Sequence, residues 1–164
     1  MAKAKTSRPL TEAEYMALAE FRFQLRRFMR NMEEAVRQYQ VNPQQYQLVL
    51  AIKGLPKGEV PSISRLAQRM QLNHNSMVEL VDRCEERGLL RRVRSGVDRR
   101  LVTLTIANDG EALLNKLGSA ARSELREVGH HLVDSVLKLT GEHRPAKGGA
   151  DNKSRAAYIR KAGR

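Results

Sequence analysis

The sequence predicts a mainly α-helical chain built on a helix-turn-helix followed by a small two-stranded wing, with a long helix at either end. Three observations carry this. Apolar residues recur at helical spacing in two long segments, about 11–40 and 108–139. Two short capped helices, starting at Ser62 and Asn73, are separated by a turn of about three residues, which is helix-turn-helix spacing. Behind them the stretch "LLRRVRSGVDRRLVTLTI", Leu89 to Ile106, changes to the period of two of a hairpin.

Thr11 is a good N-cap, with Glu14 three residues on and Leu10 before it, the form of a capping box. The helix it starts runs to about Gln40, with an apolar stripe of Tyr15, Leu18, Leu25, Met29, Met32, Val36 and Tyr39, interrupted by Arg22. A helix this long in a small domain needs cover from the domain body or from a second chain. Pro43 opens a second helix with Asn42 as cap, running to a stop near Gly54 and Pro56; "LPKGEVPS" is a turn or short extended link. Ser62 caps Ile63 to Met70, Gln71 and Leu72 break the chain, and Asn73 caps His74 to Arg87, which ends where Gly88 can turn left-handed. Strands follow at Leu89–Arg94 and Arg99–Ile106 around a tip at Ser95–Asp98, and Asn108 or Asp109 begins the last long helix. Its stripe is Leu114, Leu117, Ala121, Leu125, Val128, Leu132, Val136 and Leu139. Residues 1–10 and 140–164 are expected as flexible flanks, the second carrying seven Lys or Arg. That tail reads either as a basic arm adding non-specific affinity for a polyanion or as a solubilising segment.

At 164 residues the chain fits one domain plus tails. Thirty Lys and Arg against 18 Asp and Glu, a net charge of +12, favour a polyanionic partner. No run approaches the roughly 18 apolar residues of a membrane span. "MAKAKTSRPL" also lacks the apolar core of a secretion signal, so the expected location is the cytoplasm, without membrane association. One cysteine, Cys84, excludes an internal disulfide and a cysteine-based zinc cluster. With no Trp and few Phe and Tyr, the chain lacks the aromatics that stack single-stranded bases, and double-stranded DNA is the better polyanion.

The stretch "ISRLAQRMQLNHNSMVELVDRCEERGLLRRVRSGVDRRLVTLT" resembles the multiple-antibiotic-resistance regulator (MarR-type) family of winged helix-turn-helix transcription factors. "LAQRM", "VDRCEERGLL" and "DRRLVTLT" with "NDGEALL" carry the likeness by their order and spacing. Gln71 stands where a glycine is common in the family's turn, and Cys84 where a leucine is usual. The resemblance implies a wing tip lying along the DNA minor groove, entered by the arginine two positions after the aspartate, here Asp98 and Arg100. It also implies a small aromatic or phenolic effector bound between the end helices and the DNA-binding lobe, where Tyr39, Tyr46 and Arg22 are candidates for either lining or packing.

The residues agree with this independently. A recognition helix needs short polar side chains in its first turns to reach base edges in the major groove. Asn73, His74, Asn75 and Ser76 lie there, while Met77, Leu80, Val81 and Cys84 form the inward stripe. Asn75 suits adenine, His74 a guanine or phosphate, and Glu79 reads equally as an acceptor from cytosine or as a solvated charge. Asp98 is expected to pair with a neighbouring arginine, Arg94 and Arg99 to meet phosphates, and Arg91 and Arg92 to form a solvated face. Ser62 and Arg83 complete the DNA-facing set. Cys84 reads as a small core residue rather than a thiol switch, and adjacent His130 and His131, pointing to different faces, make poor metal geometry. No catalytic pairing, metal site or cofactor motif stands out, so an enzyme is not expected.

The expected function is a DNA-binding transcription regulator, a repressor acting as a homodimer on a pseudo-palindrome. Its lobe, about 43–106, reads DNA, and the end helices are dimerisation helices. Two rivals remain at this level: a non-specific DNA-compacting protein, favoured by the charge, and a winged helix used as a protein-interaction module.

Overall fold

The computed structural model describes residues 8–94 and 102–141. In chain order these form α1 (Glu12–Arg37), α2 (Pro43–Lys53), α3 (Ile63–Met70), α4 (His74–Glu86), β1 (Leu90–Arg94), β2 (Val102–Ile106) and α5 (Asn108–Thr140). Four of the five helices start where the sequence places a cap. Thr11 and Glu14, and likewise Asn42 and Gln45, satisfy each other's backbone N–H groups as capping boxes. Ser62 and Asn73 accept from the amides of Arg65 and Ser76. α5 begins at Asn108, one of the two starts expected, behind an N-cap, Ala107, that makes no side-chain cap. Tertiary contact explains this start, because the Ala107 N–H donates to Leu89 O and ties the helix entry to the chain just before β1.

α1 ends at Arg37, short of Gln40, because Gln40 turns left-handed at φ 57° and Tyr39 falls in the turn. α1 and α5 lie antiparallel, pinned by Arg27 to Glu127 at 3.3 Å and Asn31 to Glu124 at 2.8 Å. The central core lies where Met32 and Val36 of α1 meet Tyr46, Leu48 and Val49 of α2. Leu66, Met77, Leu80, Val81 and Cys84 from the helix-turn-helix join them, with Leu90, Leu104, Leu113 and Leu117. Burying these side chains stabilises the fold by the usual ~1.5–3 kcal/mol each.

The stripe predicted on α1 is not what this core covers. Only Met32 and Val36 of it are buried; Ala17 and Gln24 are the other buried positions of the helix. Tyr15, Leu18, Leu25 and Met29 stay exposed, joined by Met16 and Phe23 and, on α5, by Leu125, Val133 and Val136. Among the described residues, no helix is long and apolar enough to cross a membrane.

β1 and β2 pair antiparallel with Leu90 opposite Ile106 and Arg94 opposite Val102. β1 begins one residue after the expected Leu89. The link "LPKGEVPS" does more than connect: Ser62 bridges Thr103, and Leu104 N–H donates to Pro61 O at 2.9 Å, adding a short third edge to the wing.

Candidate nucleic-acid interface

The turn between α3 and α4 sets the aim of α4. Gln71 takes the left-handed conformation, φ 56° and ψ 38°, in the place where glycine would do so without strain. Its N–H donates to Gln68 O and the Leu72 N–H to Ala67 O, closing the end of α3. Leu66 and Ala67 of α3 and Met77, Leu80, Val81 and Cys84 of α4 are buried, as the period predicts. The opposite face of α4 is therefore turned outward, with His74, Asn75, Glu79 and Arg83 exposed and Ser76 half-buried.

Two of the predicted site residues already have local tasks. The Asn73 side-chain oxygen accepts the Ser76 N–H at 2.8 Å, and the Ser62 hydroxyl accepts the Arg65 N–H at 3.3 Å. Asn73 remains exposed and Ser62 is half-buried against the wing. Segment 59–62 is fixed to α3 by Arg65, whose guanidinium donates to both Glu59 oxygens, at 2.6 and 2.8 Å. Hydrogen bonding from Arg65 holds the Glu59 carboxyl below its usual range.

The stem of the wing presents Arg91 and Arg94 to solvent. Arg92 does not belong with them, contrary to the solvated face expected for Arg91 and Arg92 together. Its guanidinium donates to Asp82 Oδ1 and Glu85 Oε2, both at 2.5 Å, and its backbone N–H donates to Glu85 Oε1 at 2.9 Å. The Arg92 amide is the first cause of the lowered pKa of Glu85, ahead of the guanidinium. Partial burial of Arg92 acts to lower its own pKa, but the hydrogen bonds to Asp82 and Glu85 outweigh this and raise it. Sequence reasoning missed this triad, although Asp82 and Glu85, three apart on a helix, necessarily share a face. Asp98, Arg99 and Arg100 lie outside the described residues.

Burial pushes the Cys84 thiol up to about 12, leaving a protonated side chain in the core. The His130 and His131 rings lie with centroids 3.9 Å apart, so they approach one another instead of pointing to separate faces as expected. Tyr46 is buried in the core and Arg22 is exposed. Tyr39 lies under Lys116, whose ammonium is 5.5 Å from the ring centroid.

Residues 39–101 match the model of the MarR family. The uncharacterized HTH-type transcriptional regulator YsmB of Bacillus subtilis is 24% identical over 106 residues, which are 65% of this chain and 70% of YsmB. Among solved structures, the fold is similar to that of AbsC, a MarR family transcriptional regulator from Streptomyces coelicolor. The TM-score is 0.60 at 16% identity, covering 96% of this chain and 94% of AbsC. Sco3205, a MarR family regulator from the same organism solved in complex with DNA, gives 0.60 at 17% identity over 88% of this chain and 97% of its own. The helix-turn-helix and the first part of the wing thus fall in the segment that matches the MarR family model, and the chain shares the fold of winged helix-turn-helix regulators of that family.

Proposed function

We propose that the protein is a sequence-specific repressor that binds double-stranded DNA as a homodimer. The observation that carries this reading is the outward face of α4, with Asn75, Glu79 and Arg83 exposed beside the exposed Arg91 and Arg94 of β1. Short polar groups at the start of α4 suit base edges in a major groove, with a cationic hairpin alongside for phosphates and the minor groove. Ser62, Asn73, His74 and Ser76 flank that face, and Asp98, Arg99 and Arg100 complete the set at the wing. That Sco3205, similar in fold, was solved in complex with DNA supports the DNA-binding reading.

In this reading residues 43–106 are the DNA-reading lobe, and α1 and α5 join two copies. The support for the second part is the apolar surface that one chain leaves open: Tyr15, Leu18, Leu25 and Met29 on α1, with Leu125 and Val136 on α5. A two-fold pair would set two recognition helices about 34 Å apart, matching a pseudo-palindrome whose occupation blocks transcription. An aromatic-acid or phenol effector suits the cavity of about 470 Å³ between the turn that follows α1, the end of α4 and the start of α5, lined by Tyr39, Arg87 and Lys116 among others. It would release DNA to the extent that it prefers the unbound lobe spacing. Tail residues 140–164 would add non-specific affinity.

The test is selection and sequencing of genomic fragments bound at moderate salt, with Arg100→Ala in parallel. Enrichment of an inverted repeat, weakened in the variant, is the expected result. Recovery without sequence preference, alike in both proteins, would replace this reading with the DNA-compacting one that the +12 charge favours. The dimer is checked separately by sedimentation, where Leu25→Asp should convert a species of twice the chain mass into single chains.

A further inference from the structure

Two strands alone are marginal in water, so the attitude of a wing depends on what grips its edges. The outer edge of β2 is held by Ser62, which bridges Thr103, and by Pro61, which accepts the Leu104 N–H. The Arg92 N–H is turned away from β2, and what meets it is the Glu85 carboxylate of α4. The same carboxylate and that of Asp82 then take the two ends of the Arg92 guanidinium. One residue of β1 thus makes three hydrogen bonds to two successive turns of α4, the helix that also carries Asn75 and Glu79 nearer its start. Only a planar fork spans two separate carboxylates in this way; an ammonium is a single point charge.

We propose that Arg92 is a positioning residue for DNA recognition, locking the wing to α4 so that both reach their grooves in one register. The proposal rests on the DNA-binding reading above. Arg92 itself touches no DNA in it; its two hydrogen-bonded carboxylates neutralise its charge and hold it against α4. Its removal therefore acts through geometry, whereas removal of a phosphate contact acts through counterion release and lowers the salt slope by about 0.9.

This difference supplies the test. Binding of full-length native protein, Arg92→Ala, Arg92→Lys and the Asp82→Asn/Glu85→Gln pair is measured over a salt series. The probes are the most enriched duplex from the selection above and a random-sequence duplex of equal length. All three variants should bind the selected duplex roughly tenfold more weakly, about the effect of one lost base contact, with the native salt slope, and random-duplex affinity should not fall in Arg92→Lys or the carboxylate pair, neither of which makes the lobe less positive. The carboxylate pair is the most telling variant. It removes two negative charges from a DNA-facing lobe, so charge alone would tighten binding.

Native affinity in Arg92→Lys, with a slope reduced by about 0.9 in Arg92→Ala, would make Arg92 a phosphate contact and overturn the proposal. Equal or tighter binding of the carboxylate pair to the selected duplex would overturn it too. Thermal melting checks the fold of each variant, and if the pair fails to fold, Asp82→Asn alone carries the test, since that side chain is half exposed. Native protein that binds neither duplex would remove the DNA-binding reading itself, an outcome distinct from native binding that the clamp variants leave unchanged.

Discussion

Gly110, in the first turn of α5, lies directly against the backbone of Leu89. A Cβ added at Gly110 would be 2.2 Å from the Leu89 carbonyl oxygen and 2.8 Å from Ile106 Cγ2. That oxygen is fixed, because it accepts the Ala107 N–H at 3.0 Å. The close approach lets α5 begin immediately after β2 and pack Leu113, Leu114 and Leu117 into the core.

Gly110→Ala should therefore destabilise the protein by roughly 1–3 kcal/mol through overpacking against backbone. Gly118, in the same helix, has nothing within 4 Å of a built Cβ, and Gly118→Ala should stabilise by about 1 kcal/mol through helix propensity. Urea denaturation of the two variants should show shifts of opposite sign.

Gln71 is held at φ 56°, a conformation that costs an L-residue roughly 1–2 kcal/mol and glycine little. Gln71→Gly should raise the thermal midpoint, with a net gain of about 0.5–1 kcal/mol after the entropy glycine adds to the unfolded chain. A lowered midpoint would mean that the side chain of Gln71 contributes more than its backbone strain takes away.

Glu14 responds to acid. Its carboxyl is lowered from 4.5 to about 2, first by hydrogen bonding from the Arg8 side chain and then by the Thr11 amide and hydroxyl. A depressed folded-state pKa means stabilisation that is full above about 4.5 and is lost as pH falls toward about 2. Native protein should lose α1 stability across that window, and Glu14→Gln should lose less there, as read by circular dichroism at a series of pH values.

Cys84 should be inert in the folded protein. Its thiol is fully buried and pushed up to about 12 by that burial, so no thiolate is present at neutral pH. A disulfide reagent that gives a coloured thiolate should react with it only after denaturant is added. Cys84→Ser, which buries a hydroxyl among apolar side chains, should cost about 1–3 kcal/mol.

Asn75 and Arg94 should separate the two kinds of DNA contact proposed for them. Asn75→Ala should lose about 1–3 kcal/mol on the selected duplex and relax its base preference. Arg94→Ala should weaken all duplexes alike and lower the salt slope by about 0.9. Titrations on selected and random duplexes distinguish these patterns.

The sequence by itself determined what depends on neighbours along the chain. Thr11, Asn42, Ser62 and Asn73 are all N-caps, because a cap is completed within three residues of itself. The inward stripe Met77, Leu80, Val81 and Cys84 follows from helical period, and that stripe fixes which side chains α4 turns outward. Tertiary structure alone decided two other matters. It chose Ala17 and Gln24, not Leu18 and Leu25, as the buried side of upper α1, since α5 covers one flank of that helix and leaves the more apolar one open. It also took Arg92 out of the basic face of the wing, because Asp82 and Glu85 stand opposite it in space. A repeating pattern records that a face is apolar or charged; which surface meets it depends on contacts between residues distant in the chain, and those exist only once the helices and the hairpin have packed.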